Sequence, residues 1–307
     1  MFNFFRVLLS LTEKHMENQN KANSNTAWIN GLVGVIMFSG SLPATRLAVM
    51  ELDPYFVTSA RAAIAGILAL LAIIVFKEKL PSKQQIIPLL IVAFAVVLGF
   101  PLFSSLALQY ISSAHSIVFV GILPIATAIF GIFRANERPR PIFWLFAIIG
   151  SLIVMGFAFS HGVEGSVAGN LLMLLAIVLC GLGYAEGAKL SKSLGGWQVI
   201  SWALIISLPV SLPLSFVFRP ISLDGISASA WLGLAYVSLF SMFFGFIFWY
   251  RGLAMGGIAT IGQLQLLQPL FGLTLAAFLL HEQVSWSMLL VTVAVLFNVA
   301  ATKKFAS

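Results

Sequence analysis

The chain has 307 residues, of which 60% are hydrophobic and only 9% are charged, and its formal net charge is +7. Soluble domains contain about 45–50% apolar and about 25% charged residues, so this composition excludes an ordinary soluble domain and places nearly the whole chain in lipid. Basic residues collect in the cytoplasmic loops of membrane proteins, so the positive charge requires no nucleic-acid partner, and we expect none. The single cysteine, Cys180, lies in an apolar run. The sequence therefore predicts no intramolecular disulfide, no metal site and no cofactor.

Residues 1–27 are expected to form a cytoplasmic arm, because the apolar run at 2–11 is short and no small-residue cleavage site follows it. A spanning helix needs about 20 apolar residues, and ten such helices would take about 200 residues. The hydropathy pattern predicts ten spans, at 28–49, 55–76, 85–108, 112–133, 141–160, 168–190, 197–218, 229–250, 257–280 and 284–302. Because a helix satisfies its own backbone in lipid, the predicted fold class is an all-α integral membrane protein.

Lysine and arginine fix the orientation of these spans. Fourteen of the 17 basic residues fall on one side of the predicted membrane and Arg219 alone on the other, while Arg46 and Arg61 lie at or inside its boundary. Both termini are therefore predicted to be cytoplasmic, in the plasma membrane of a bacterial cell (the inner membrane).

A repeat at a constant offset of 145 residues divides the predicted spans into two sets of five. Four residues of the first half recur in the second, namely Leu108, Ala114, Pro124 and Glu137 as Leu253, Ala259, Pro269 and Glu282. Since five is odd, the second set must enter the bilayer from the opposite side. The predicted domains are thus two inverted five-helix repeats, 28–162 and 163–307. Such repeats place a substrate site near the bilayer midplane.

Several stretches between residue 28 and about residue 304 resemble the EamA-type branch of the drug/metabolite transporter superfamily. Each half opens with a Gly-rich helix, a basic residue (Arg46) ends the first helix, and an arginine (Arg61) lies in the second. Two long runs, LALQYISSAHSIVFVGILPIATAIFGIF and RGLAMGGIATIGQLQLLQPLFGLTLAAFLL, each resemble the signature of that branch. The resemblance implies a basket of ten helices in inverted halves, and proteins that export or exchange amino acids, other small metabolites or drugs.

Matched backbone breaks are the first candidates for a transport site. Pro124 and Pro269 occupy corresponding mid-span positions, and Gly99 and Pro101 interrupt the third span. Matched interruptions point to a midplane site in transporters of this kind. The alternative is a set of packing kinks that the helix bundle tolerates.

Three ionisable residues inside or near spans are further candidates, because charge at membrane depth is a functional hypothesis by default. Arg61 lies about 9 Å into the second span by helical rise, where it would bind a substrate carboxylate, form an ion pair with Glu51 or Asp53, or extend to the interface. Glu186 would carry a proton or bind an amino group, or else pair with Lys189 one turn on. His115 would titrate as an outer gate or act only as an interfacial side chain.

Neutral polar and aromatic side chains complete the candidate substrate site. Gln263, Gln265 and Gln268 precede Pro269, and the last two glutamines share one helix face. An amide is costly toward lipid, so that face should point into the bundle, toward substrate or toward other helices. Tyr184 and Trp202 are the aromatic candidates for the wall of the site.

The sequence therefore predicts a secondary or facilitative transporter that exports amino acids or related small metabolites by alternating access. Its partners would be a small-molecule substrate and the lipid bilayer, with a homo-oligomer possible. Alternatives are a drug or lipid transporter of the same fold and an intramembrane enzyme. An enzyme is disfavoured because His281-Glu282 lacks a second histidine four residues on and no GxSxG or Walker-type loop occurs.

Overall fold

The computed structural model describes residues 24–160, 166–280 and 286–305. These ranges contain helices and no strands, so the chain is all-helical over the residues described. The helices are α1 (Ser24–Val49), α2 (Pro54–Val75), α3 (Lys83–Tyr110), α4 (Ser113–Val120), α5 (Leu123–Ala135), α6 (Pro141–Ser160), α7 (Val167–Leu194), α8 (Gly196–Val217), α9 (Ala228–Gly256), α10 (Ile258–Gly262), α11 (Gln268–Leu280) and α12 (Trp286–Phe305).

Each predicted span coincides with helical structure to within a few residues, except that two of them are broken into shorter helices. Six helices of the described chain, α1, α2, α3, α7, α8 and α9, are long and apolar enough to cross a membrane. Helix α1 begins at Ser24, within the last residues of the predicted N-terminal arm, and residues 1–23 lie outside the described residues.

The helix ends follow from local capping. Asp53 precedes α2 and accepts hydrogen bonds from the backbone N–H groups of Tyr55 and Phe56, while Pro54 fills the first helical position, where no N–H is needed. Ser227 caps α9 in the same way through Ala230. These caps fix where the chain turns back into the bundle.

Both α3 and α9 contain a widened π-helical segment at matching positions of the repeat. The segments are Ala93–Gly99 and Val237–Phe244. A glycine ends or follows each one, because a Cβ on Gly99 would lie 2.7 Å from the carbonyl oxygen of Phe94, and one on Gly245 would lie 2.8 Å from that of Phe240. In each π-helical turn, the carbonyl oxygen five residues earlier occupies the space that a Cβ would need, so a glycine fits there. π-segments of this kind are frequent at functional sites.

A second matched pair of interruptions precedes Pro124 and Pro269. A turn at residues 121–122 separates α4 from α5, and a 3₁₀ segment, Gln263–Leu267, separates α10 from α11. Proline cannot donate the hydrogen bond that a continuous helix would need at these positions. The interruptions therefore lie where the sequence pattern had matched proline with proline.

The antiparallel pair of α2 and α8 defines the two ends of the bundle. At one end Tyr55 stacks on Phe218 with ring centroids 5.1 Å apart, and at the other end Gln198 donates to Glu78 over 3.2 Å. Chain connectivity places the loop with Glu51 at the first end and Glu137 at the second. These are called the Glu51 end and the Glu137 end below.

Candidate functional site

A small cavity with a few polar side chains in a largely apolar lining lies in the middle of the bundle. Its volume is about 20 Å³, which is room for about one water molecule. Side chains of eight helices line it, namely Phe38, Ser41, Arg61, Val96, Phe100, Val120, Leu123, Tyr184, Ser241, Phe246 and Gln268. Because helices from both halves of the sequence meet here, the cavity would change shape if the halves moved relative to each other.

Among the described residues of the lining, Arg61 alone carries a charged group. The residue is 2% exposed, and its Nη2 donates to Ser241 Oγ over 3.2 Å. Ser241 lies near the middle of α9 and also accepts from Ser41 Oγ over 2.7 Å. Thus Arg61 starts about two turns from the end of α2, yet its head reaches the centre of the bundle. Its Nε has no hydrogen-bond partner.

An ion pair of Arg61 with Glu51 or Asp53 does not form, so that interpretation of the sequence is wrong. Glu51 accepts from the backbone N–H and the hydroxyl of Ser227, both over 2.6 Å. Asp53 is occupied as the cap of α2. Both carboxylates lie at the Glu51 end because loop and cap geometry hold them there, while the Arg61 side chain points inward.

The three glutamines are all buried and differ in their contacts. Gln268 lines the cavity and donates to the carbonyl of Phe38 over 3.4 Å, and Gln265 donates to Thr127 over 3.4 Å. The amide oxygens of both residues have no partner, and Gln263 has no partner on either amide atom. Unpartnered buried amides are costly, so this face of the interrupted helix holds unused hydrogen-bonding capacity.

Aromatic rings form one wall of the cavity. Tyr184 packs against Phe38, Phe246 and Trp249, with ring centroids 5.3–6.1 Å apart. Trp202, the other aromatic candidate, is buried in the core but is absent from the lining. The structure therefore brings Tyr184 and Gln268 together with Arg61 and leaves Trp202 outside.

His115 is buried near the Glu51 end, away from the cavity lining. Its Nε2 lies 2.7 Å from Asn170 Oδ1, which links the start of α4 to the start of α7, and its Nδ1 has no partner. The structure thus buries His115 near that end of the bundle and leaves it out of the cavity lining.

The predicted pairing of Glu186 with Lys189 is wrong. Glu186 is 1% exposed and forms an ion pair with Arg134, whose Nε lies 2.6 Å from Glu186 Oε2. Lys189 points outward and is exposed. The helix spacing offered a partner on the same helix, whereas packing of α5 against α7 supplies one from a neighbouring helix.

Glu137 makes a contact that the sequence interpretation missed. Its two carboxylate oxygens accept from the backbone N–H groups of Ile258 (2.7 Å) and Ala259 (2.9 Å), at the start of α10. A carboxylate at a helix N-terminus is favoured by the unsatisfied N–H groups and the helix dipole. In the sequence, Glu137 stands at the end of the repeated signature. The glycine at position 257 could have indicated the start of a helix, and therefore a partner for this carboxylate. Its counterpart Glu282 lies outside the described residues.

A separate apolar groove of about 290 Å³ opens on the side of the bundle between α2, α3 and α8. Its lining runs from Tyr55 and Phe218 at the Glu51 end to Phe94 and Gly99 near mid-depth, and Phe94 is 59% exposed. Among the described residues no group of three His, Cys, Asp or Glu side chains is placed to hold a metal ion.

The fold defines an α-helical integral membrane protein, and the small cavity at its centre is the candidate site. The family model of the EamA-like transporter family matches the chain twice, at residues 25–159 and 167–302. The chain therefore belongs to the EamA-like transporter family, within the drug/metabolite transporter superfamily.

Relatives and a solved structure agree with this assignment. The chain is 60% identical over 283 residues to the uncharacterized transporter YdeK of Bacillus subtilis (strain 168), covering 92% of this chain and 99% of the relative. It is 23% identical to an uncharacterized transporter of Archaeoglobus fulgidus, covering 85% and 91% of the two chains. One solved crystal structure, described only as that of a protein, matches with a TM-score of 0.75 at 17% identity over 91% of this chain and 99% of its own. The last similarity concerns the fold alone.

Proposed function

We propose that the chain is a secondary carrier that exports amino acids or related small metabolites by alternating access. The central cavity is the observation that supports this most directly, because it lies inside the bundle, is lined by residues of both family copies and includes the polar side chains of Arg61 and Gln268. Its small volume fits a closed state, in which the helices must separate before a substrate can enter. The matched π-segments and matched interruptions at Gly99, Pro101, Pro124 and Pro269 are the elements that would bend.

The proposed architecture is ten spans in two inverted five-helix repeats, 28–162 and 163–307, in the bacterial inner membrane. The unequal distribution of basic residues supports an orientation with both termini and the Glu137 end in the cytoplasm. The Glu51 end would then face outward.

The proposed substrate contacts are Arg61, Gln268 and Tyr184, which line the cavity. Gln265 and Gln263 lie on the adjacent interrupted segment and would join the site when it opens, since their amides have unused capacity. Trp202 and His115 would act at a distance, through packing and through the Asn170 contact. Glu186 is the candidate for proton coupling, with Arg134 as the group that would respond to its protonation.

Counterflow in proteoliposomes tests the carrier function. Vesicles holding the purified protein are loaded with unlabelled amino acids or related metabolites, and uptake of the labelled compound is followed with and without a pH gradient. Saturable counterflow is expected, with a loss of about tenfold or more in Gln268→Leu. Gln84→Leu, the same change at an exposed residue outside the cavity, is the matched control. Absence of flux for every solute, with protein folded and inserted, would refute the proposal.

The lateral groove favours a second candidate, a carrier of lipids or apolar drugs. The groove is almost wholly apolar and lies beside the bilayer core, where an acyl chain could enter. Transfer of a labelled phospholipid between leaflets, abolished by Leu98→Trp in the groove and unaffected by Gln268→Leu, would favour this candidate over the first.

A further inference from the structure

The charge inventory of the described chain leaves Arg61 without a carboxylate. Four of the ten acidic residues, Glu13, Glu17, Glu164 and Glu282, lie outside the described residues, which leaves six. Each of the six has a partner elsewhere. Glu51 is held by Ser227, Asp53 by the start of α2, Glu78 by Gln198, Glu137 by the start of α10, Glu186 by Arg134 and Asp224 by Ser222.

A buried guanidinium in this position is incompletely satisfied. Arginine has five N–H donors and stays charged in proteins. Only one bond to a neutral hydroxyl is formed within the described chain, and the buried Nε has no acceptor. A charged group inside the membrane normally pairs with an opposite charge or faces a substrate pathway. Here the guanidinium faces the cavity, so the missing partner is expected to come from there.

We infer that Arg61 binds the carboxylate of the transported substrate, and that the preferred substrates are small organic monoanions without an ammonium group, such as oxo acids and hydroxy acids. This inference rests on the proposed carrier function and, within its substrate class, favours the related metabolites over the amino acids. The planar fork of arginine matches a carboxylate through two parallel N–H···O bonds. The amide of Gln268 would serve both kinds of acid, since its second N–H would donate to an oxo group and its unpartnered oxygen would accept from a hydroxyl.

The remaining lining residues determine which chemical group of the substrate fits beside its carboxylate. Phe38, Phe100 and Phe246 form an apolar wall with Val96, Val120 and Leu123 around the polar group. An ammonium would find no carboxylate among the described lining residues, and burying it beside Arg61 would place two positive charges in one cavity. An apolar body carrying one carboxylate satisfies both halves of the lining.

The same inventory predicts how the carrier cycles. A loaded site is neutral because the carboxylate cancels the guanidinium. An empty site must pass through the closed state with an uncompensated buried charge, which is strongly unfavourable. Exchange of internal for external substrate should therefore be faster than net efflux by at least about tenfold.

The test uses purified full-length protein in proteoliposomes. For leucine, valine and phenylalanine, three probes are compared in counterflow: the amino acid, its amide and its oxo acid. The oxo acid is expected to compete best, the amino acid less well and the amide hardly at all. In Arg61→Gln, competition by oxo acids should fall at least about tenfold and the ratio of exchange to net efflux should approach one. Arg219→Gln, at an exposed loop arginine, should leave both unchanged.

Each result that differs from these expectations would refute a particular part of the proposal. Counterflow of amides or amino acids with no preference for oxo acids would leave the carrier function standing and remove the carboxylate assignment, as would unchanged competition in Arg61→Gln. Net efflux as fast as exchange in the unmodified protein would refute the charge argument. No flux of any probe or of the wider metabolite panel would refute the carrier function as well. If Arg61→Gln does not fold, the comparison of the three probes on unmodified protein decides.

Discussion

The carboxylates at the helix ends and the amides at the centre of the bundle differ in how fully they are hydrogen-bonded. Those at the helix ends, such as Asp53 and Glu137, accept from backbone N–H groups that the helices leave open. Those at the centre, such as Gln263 and Gln268, retain unpartnered atoms. Buried polar atoms are normally satisfied. Exceptions occur at several places in the described bundle, and those of Arg61 and Gln268 belong to the cavity lining, where a partner can arrive from outside the chain.

Glu51 provides a prediction about pH. Hydrogen bonds from the hydroxyl and then from the backbone N–H of Ser227 lower the pKa of Glu51 below its ordinary value. A lowered pKa in the folded state means that the contact stabilises the fold above the unfolded-state pKa and is lost as pH falls through the lowered folded-state pKa. The apparent Tm of the detergent-solubilised protein should therefore be lower in Glu51→Gln than in the unmodified protein at pH 7. The difference should begin to shrink as pH falls through about 4.3, the ordinary pKa of glutamate, and vanish once pH is below the lowered folded-state pKa.

Asp224→Asn is the control for this prediction, because Asp224 lies in the same exposed region but bonds only to nearby Ser222. A Tm difference for Glu51→Gln that persisted unchanged at low pH would show that the carboxylate charge is not what links the two loops.

Among the helices, the contact between α1 and α9 is made by backbones without intervening side chains. A Cβ on Gly252 would lie 2.7 Å from the backbone nitrogen of Gly31 and 3.0 Å from the carbonyl oxygen of Ala27. Gly252→Ala should therefore destabilise the protein by about 1–3 kcal/mol, since neither backbone can yield easily. Thermal unfolding in detergent measures this.

Gly156→Ala is the matched change, because nothing lies within 4 Å of the Cβ it would add. It should be neutral or stabilise by up to about 1 kcal/mol, the difference in helix propensity between glycine and alanine. Equal destabilisation by both substitutions would contradict the close packing of α1 and α9.

Glu137 joins α10 to the segment that follows α5, and we predict that it keeps the Glu137 end closed. In a Cys180→Ala background, a reporter cysteine at Ile258 is buried and should react slowly with maleimide. Glu137→Gln removes the charge that favours the helix N-terminus, so the reaction rate should rise several-fold. Mass spectrometry of the alkylated protein follows the rate.

Glu78→Gln is the comparison for this experiment, since Glu78 bonds Gln198 at the same end but between α2 and α8. If both substitutions raised the alkylation rate equally, the effect would be a general loosening of the bundle end and the assignment to Glu137 would fail.

At the scale of the whole molecule, the proposed orientation predicts which surfaces face the outside of the cell. In the Cys180→Ala background, a cysteine at Ser222 should react with a membrane-impermeant maleimide in intact cells. Cysteines at Lys79 and Arg138, both exposed, should react only after permeabilisation. The reverse labelling pattern would show that the protein has the opposite orientation in the membrane. Labelling of all three cysteines from one side would contradict the proposed alternation of the spans.

Helix positions were predictable from the sequence because hydropathy, proline and capping residues act over a few neighbours. Contacts between distant residues were not. Ser41 and Ser241 are separated by 200 positions, and nothing in a local pattern distinguishes them from other buried serines. The partner of Glu186 was misassigned for the same reason, since Arg134 is 52 positions away and Lys189 was near. Arg61, Gln268 and Tyr184 were identified because polar groups in an apolar run are unusual, whereas the apolar half of the cavity was not.

The proposed carrier cycle also predicts a response to membrane voltage, because the charge of Arg61 is uncompensated in the empty site. A potential that is negative inside is worth about 2.3 kcal/mol per elementary charge per 100 mV. It acts on the empty site, which is positive, and not on the loaded site, in which the carboxylate cancels the guanidinium. The voltage would therefore return the empty site to the cytoplasmic face, where it meets new substrate. A membrane potential would therefore accelerate export by speeding the return of the empty carrier, the one step of the cycle in which no substrate is bound.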